Sequence, residues 1–128
     1  DQKLAITFWN EITKNIPDWK AAKNREIAPY ILRRDFIHTH GITLQALGNV
    51  GHELIHTKKE WKTILSGIRH IDWSRDNLKN WQGRVIVHGK INKGSKHVTL
   101  LTNFIKKELN IPLSEHEAEI EKTFNGCN

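Results

Sequence analysis

Residues 41–56 read Gly41-Ile42-Thr43-Leu44-Gln45-Ala46-Leu47-Gly48-Asn49-Val50-Gly51-His52-Glu53-Leu54-Ile55-His56. Leu44, Leu47, Val50 and Leu54 recur at i, i+3, i+6 and i+10, the spacing that gathers apolar side chains on one side of a helix. The helical pattern covers about 30–56, with Gly41 as the expected junction between two helices. Gly48 and Gly51 lie inside it, where each glycine costs about 1 kcal/mol relative to alanine, so close packing or a break is expected there. Outward from this centre the same period returns. Leu4, Phe8, Trp9, Ile12 and Ile16 share a side of a helix over about 3–16, which Pro17 ends. Asp18-Trp19 begins at most a short turn, and 20–28 reads as a polar connection. Thr57-Lys58-Lys59-Glu60 fits a capping box opening a helix with Trp61, Ile64, Leu65 and Ile68 inward, weakened at Ser66-Gly67. The stretch 69–83 reads as irregular.

Val85-Ile86-Val87 is the one β-branched run, and a basic glycine-bearing loop follows over 89–97. A helix over about 99–109 buries Leu101, Phe104, Ile105 and Leu109. Pro112 interrupts the chain, and Ser114-Glu115-His116-Glu117 is a second capping box before a short acidic helix carrying Ile120 and Phe124. The fold class expected is mostly α: a compact multi-helix domain, residues 1–128, with at most one short strand pair near 85–98. The apolar fraction of 38% and charged fraction of 27% suit a globular chain. No apolar run approaches the roughly 18–20 residues of a membrane span, and no signal-peptide pattern opens the sequence, so the cytoplasm is the expected compartment. One cysteine, Cys127, excludes an internal disulfide framework and a cysteine-built zinc site.

The net charge of +6 is unevenly spread. Residues 58–96 hold ten Lys/Arg against Glu60, Asp72 and Asp76, with Trp61, Trp73 and Trp81 interleaved. A basic belt of this kind attracts polyanions, because neutralised phosphates release counterions. A solvated lysine-rich face is the alternative, and an anionic membrane surface a third, for which no amphipathic basic helix speaks.

Two motifs offer chemistry. His52-Glu53-Leu54-Ile55-His56 places two histidines at i, i+4, the zincin arrangement in which the glutamate polarises a zinc-bound water. Its surroundings do not continue the pattern: Lys59 and Lys62 stand where a metzincin has Gly and His, and no Glu falls between Glu60 and Glu108. Gly89-Lys90-Ile91-Asn92-Lys93-Gly94-Ser95-Lys96 approaches a phosphate-binding loop, with Ser and Lys in reversed order at its end. Its amides and Lys90, Lys93 and Lys96 can still grip a backbone phosphate. His38 and His40, two apart, read as ordinary polar or half-buried histidines, and Arg33-Arg34-Asp35 as surface ion pairs.

Three stretches together resemble a known family. Trp9-Asn10-Glu11-Ile12 with Ile16-Pro17-Asp18-Trp19, then Leu32-Arg33-Arg34-Asp35-Phe36-Ile37-His38 with His40-Gly41 and Ala46-Leu47-Gly48, then Ile71-Asp72-Trp73-Ser74-Arg75 with Asn77, Trp81 and Gly83-Arg84, are similar to the DNA sulfur modification protein DndB family. The likeness runs in order from about residue 8 to 113. It implies a place in bacterial DNA phosphorothioation, in which sulfur replaces a non-bridging backbone oxygen, as its regulatory member, which binds DNA upstream of the modification genes and represses them. It also implies that the chain is the C-terminal part of such a protein. The His-Glu-Leu-Ile-His run is not part of the family pattern.

The expected function is therefore a non-catalytic, DNA-binding repressor without cofactor or metal, its partners double-stranded DNA and other DNA sulfur modification proteins. The expected DNA-contacting residues are Arg69, Arg75, Arg84, Lys90, Lys93 and Lys96, with Arg33 and Arg34 as weaker members. Arg75 and Arg84 are the candidates for bidentate guanine contacts. Trp73 and Trp81 are expected in the core. A protein-interaction module and a zinc hydrolase on His52, Glu53 and His56 are the rival readings.

Overall fold

The computed structural model describes residues 2–126, so Cys127 lies outside the described residues. The chain is mostly helical, with one small antiparallel sheet of two strands. The elements are α1 (Gln2–Asn15), α2 (Pro17–Lys23), α3 (Pro29–Asp35), α4 (Gly41–Thr57), α5 (Trp61–Leu65), a 3-10 segment (Ser66–His70), α6 (Leu78–Trp81), β1 (Ile86–Val87), β2 (Lys90–Ile91), α7 (Ser95–Glu108) and α8 (Glu115–Gly126). The central helix is the one its periodicity predicts: α4 buries Ala46, Leu47, Val50 and Leu54 and packs along α7, which brings Leu101 and Ile105. Leu44, expected on the inward side, is 41% exposed, because Ile42 and Thr43 take the buried positions of the first turn.

Prolines set the early breaks. Pro17 ends α1 and also opens α2 in its first turn, and Pro29 does the same for α3, positions where the missing N–H costs nothing. The connection expected at 20–28 is shorter, since Lys20-Ala21-Ala22-Lys23, good helix formers, extend α2. Gly41 does begin α4 after the non-helical stretch 36–40. Gly51 lets α1 lie close: a Cβ there would sit 2.3 Å from the Phe8 ring.

The first capping box does not form. The Thr57 hydroxyl donates to the Glu53 carbonyl one turn back, at 2.8 Å, so Thr57 closes α4 instead of opening α5. The second forms as expected: the Glu117 amide donates to Ser114 Oγ at 3.2 Å, and the Ser114 amide to Glu117 Oε1 at 2.8 Å. The strand pair turns at His88-Gly89, both with positive φ (52° and 76°), which suits a two-residue hairpin turn. α7 starts four residues before the expected position, so Ser95, Lys96 and His97 belong to its first turn.

Candidate nucleic-acid interface

The three stretches that carry the family likeness meet at one junction. Backbone pairing joins the second to the third: the Ile37 amide donates to the Trp73 carbonyl and the Arg75 amide to the Asp35 carbonyl, each at 2.9 Å. His38 is fully buried at the centre. Trp19 Nε1 donates to His38 Nδ1 at 3.2 Å, which leaves the ring proton on Nε2, 3.1 Å from Asp18 Oδ2. Phe36 stacks on the imidazole with centroids 5.0 Å apart, and Trp73 meets it edge-on. Burial pushes the His38 pKa below its ordinary value, against the opposing pull of Asp18, so the neutral ring is the folded form. Trp73 and Trp81 are both core residues, stacked at 6.0 Å.

Above this junction the surface turns cationic. The Arg33 carbonyl accepts from His40 Nε2 at 2.9 Å and from Arg75 Nη2 at 3.3 Å. Burial lowers the His40 pKa, and the charges of Arg75, Arg33 and Lys93 lower it further against the bond to the Arg33 carbonyl. Lys93, from the glycine-bearing loop, is therefore within electrostatic reach of side chains far from it in sequence. Among the described residues, none of Arg33, Arg75, Lys90, Lys93 and Lys96 is in a salt bridge. Arg34 is: it forks onto its neighbour Asp35 at 2.9 and 3.1 Å, a bond that holds the exposed Asp35 carboxyl below its usual range. Lys90 and Lys96 are exposed on β2 and the first turn of α7. Arg69 lies elsewhere, donating to Asn15 Oδ1 at 3.0 Å in a shallow cleft with Lys14, Lys62 and Glu11. The belt read in the sequence thus divides into two groups.

Arg84 corrects the expected set. It is 7% exposed, forks onto Glu121 at 2.9 and 2.7 Å, and donates to the Leu100 carbonyl at 2.7 Å. Phe124 covers the guanidinium at 4.7 Å. With its donors directed inward, this side chain has no geometry for a base edge, and it joins α7 to α8. Lys106 does similar work, its ammonium held between Glu53 (2.5 Å) and Glu117 (2.7 Å). Burial opposes that charge, but the hydrogen bonds to Glu117 and Glu53 outweigh it and raise the Lys106 pKa. Burial likewise opposes ionisation of Glu117 and Glu121, yet Lys106 and Arg84 respectively hold both below the ordinary carboxyl value.

The same pairing bears on the zincin-like run. The His52 and His56 rings lie 4.8 Å apart on exposed turns of α4, while Glu53 is turned to Lys106 and away from the role of a water-polarising base. Among the described residues no group of three or more His, Cys, Asp or Glu is placed to share a metal ion. No helix among them is long and apolar enough to cross a membrane.

Reasoning from sequence missed His40 as a member of the cationic cluster, and Trp19 and Asp18 as partners of His38. Their signal was present as motif residues in separate stretches, with nothing local to say that those stretches meet.

These features define a class: a small, basic, helical domain with a packed aromatic junction beside cations that, among the described residues, form no salt bridge. The family model for DndB, described as DNA-sulfur modification-associated, matches residues 1–112. The chain belongs to the DndB family and so is associated with DNA sulfur modification. No curated protein and no solved structure matches it. Helix α8 lies beyond the matched residues, although it supplies the carboxylates that neutralise Arg84 and Lys106.

Proposed function

We propose that this domain is a non-catalytic DNA-contacting module of a repressor of DNA sulfur modification, and that it holds backbone phosphates with Arg33, Arg75 and Lys93. The observation that carries the reading is that Arg75 Nη2 lies against both the Arg33 carbonyl and His40, at 3.3 Å from each, and that among the described residues no carboxylate bridges Arg33, Arg75 or Lys93. Such a group is costly by self-repulsion unless an anion occupies it, and a duplex presents one phosphate charge per roughly 1.7 Å of axis. Lys90 and Lys96 extend the cluster along the hairpin and α7. Ser95 and Lys96 add the open amides of the first turn of α7, which favour the same anion. Arg75 is the member of this set whose side-chain type also suits guanine. Other DNA sulfur modification proteins are the expected protein partners.

Anisotropy of labelled duplexes tests this directly. Duplex from upstream of the modification genes should bind, and bind more tightly than a scrambled duplex if the reader lies in this domain. Absence of binding to either at low salt overturns the reading.

A further inference from the structure

Beside the cationic cluster lies a groove of different character. Trp19, Ala22, Pro29, Leu32 and Leu44 line a depression of about 370 Å³ formed by α2, α3 and α4. Arg33 is its one charged lining residue, and the same Arg33 belongs to the cluster around His40. Arg33 lines the groove while its carbonyl accepts from His40 and Arg75, so the apolar groove and the proposed phosphate-binding cations share an edge. Within the groove the fold leaves apolar surface uncovered, with Leu44 at 41% exposure. The groove also holds one buried polar atom without a partner, Thr39 Oγ1.

An ordinary phosphate gains nothing from such a wall. Its oxygens are strong acceptors, and pressing one against hydrocarbon removes water without replacing it. A sulfur in that position is larger, more polarisable and a weaker acceptor. It loses little hydration and gains dispersion contact with the indole and aliphatic carbons. A thiolated phosphate is thus an anion with one apolar corner, and it matches a cation set at the rim of an apolar groove. Because the groove opens next to phosphate-binding side chains, the sulfur it suits is one carried by the backbone, not by a base.

We infer that this groove is a sulfur-reading subsite, which takes the sulfur of a thiolated DNA phosphate while Arg33 holds the charge of that phosphate. The inference rests on the DNA-contact reading above, and it assigns the domain a preference for DNA that already carries the modification.

The test compares three duplexes of one sequence: unmodified, and with a single phosphorothioate as each separated diastereomer. Only one diastereomer points its sulfur to the groove, and it should bind about fivefold more tightly, the gain expected from taking roughly 40 Å² of apolar surface out of water. In Leu44→Gln, which changes an exposed position of α4, the preference should disappear while affinity for unmodified duplex stays. Equal binding of all three duplexes overturns the inference and leaves the DNA-contact reading standing. A preference that persists in Leu44→Gln overturns the assignment to this groove. Concentration-dependent dimerisation lost in Leu44→Gln, with all duplexes bound alike, would show a second copy as the occupant and overturn it as well. Failure to bind any duplex overturns the proposed function and this inference together.

Discussion

Arg84 and Arg33 are the same residue type in one small domain, and the fold treats them oppositely. Arg84 sits between α7 and α8 with Glu121, the Leu100 carbonyl and Phe124 around it. Arg33 stands exposed at the end of α3, and only its carbonyl is used, by His40 and Arg75. The difference is whether a carboxylate comes within reach. α8 brings acids to α7, so Arg84 and Lys106 become joints of the structure. Among the described residues Arg33, Arg75 and Lys93 form no salt bridge, Asp35 being forked by Arg34 instead, so their charge remains available to a ligand. A basic composition alone does not separate the two uses; the pairing does.

The largest effect expected from breaking this contrast is on the inner side. Arg84→Ala leaves Glu121 buried without its partner and should cost about 3–5 kcal/mol, read by urea denaturation. The double replacement Arg84→Met with Glu121→Leu should recover much of that loss, since an apolar pair of similar size carries no buried charge. A cost below about 1 kcal/mol for Arg84→Ala would mean that α8 is held by something else.

Next in size is the junction beneath the cluster. His38→Ala removes the shared partner of Trp19 and Asp18 and leaves a cavity, and should cost about 2–3 kcal/mol. The accompanying pH dependence has a definite sign. An unfolded histidine titrates near about 6.5, whereas burial holds His38 lower in the fold, so the unfolded chain binds more protons between the two values. Stability should be full above about 6.5 and fall as pH drops through the folded value, and His38→Gln should flatten that limb. A second loss follows at lower pH. Glu117 and Glu121, held down by Lys106 and Arg84, contribute stability above the ordinary carboxyl pKa that fades as they protonate. The smallest effect belongs to the outer cations: Arg33→Gln and Lys93→Gln should each change stability by less than about 0.5 kcal/mol in thermal melts.

Much of the fold was legible because its signals are local. The apolar spacing of α4 and α7, the Ser114–Glu117 box and the short strand pair all depend on neighbours within a few residues. The failures are instructive in the same terms. Thr57 and Glu60 have the spacing of a cap, but α4 runs through Thr57 and takes its hydroxyl. The polar look of Lys20–Lys23 concealed two alanines in a helix. Arg84 looked like a free cation because Glu121 lies 37 residues on. The acidic run 115–121 was the one available hint that a buried cation needed a partner. Lys93, Arg75, Arg33 and His40 come from three separate stretches, and only the paired backbone at 35–37 and 73–75 explains how those of Arg33 and Arg75 approach.

The central claim is that unpaired outer cations, not basic composition, make this surface a DNA ligand. The most direct measurement is duplex affinity as a function of salt for the wild-type chain, for Arg33→Gln with Lys93→Gln, and for Lys58→Gln with Lys59→Gln as a basic control outside the cluster. Each phosphate contact contributes about 0.9 to the slope of log K against log salt. The account predicts that the first double variant loses about 2 from that slope, while the control leaves it nearly unchanged. Equal losses from both pairs, or none from Arg33 and Lys93, would contradict it.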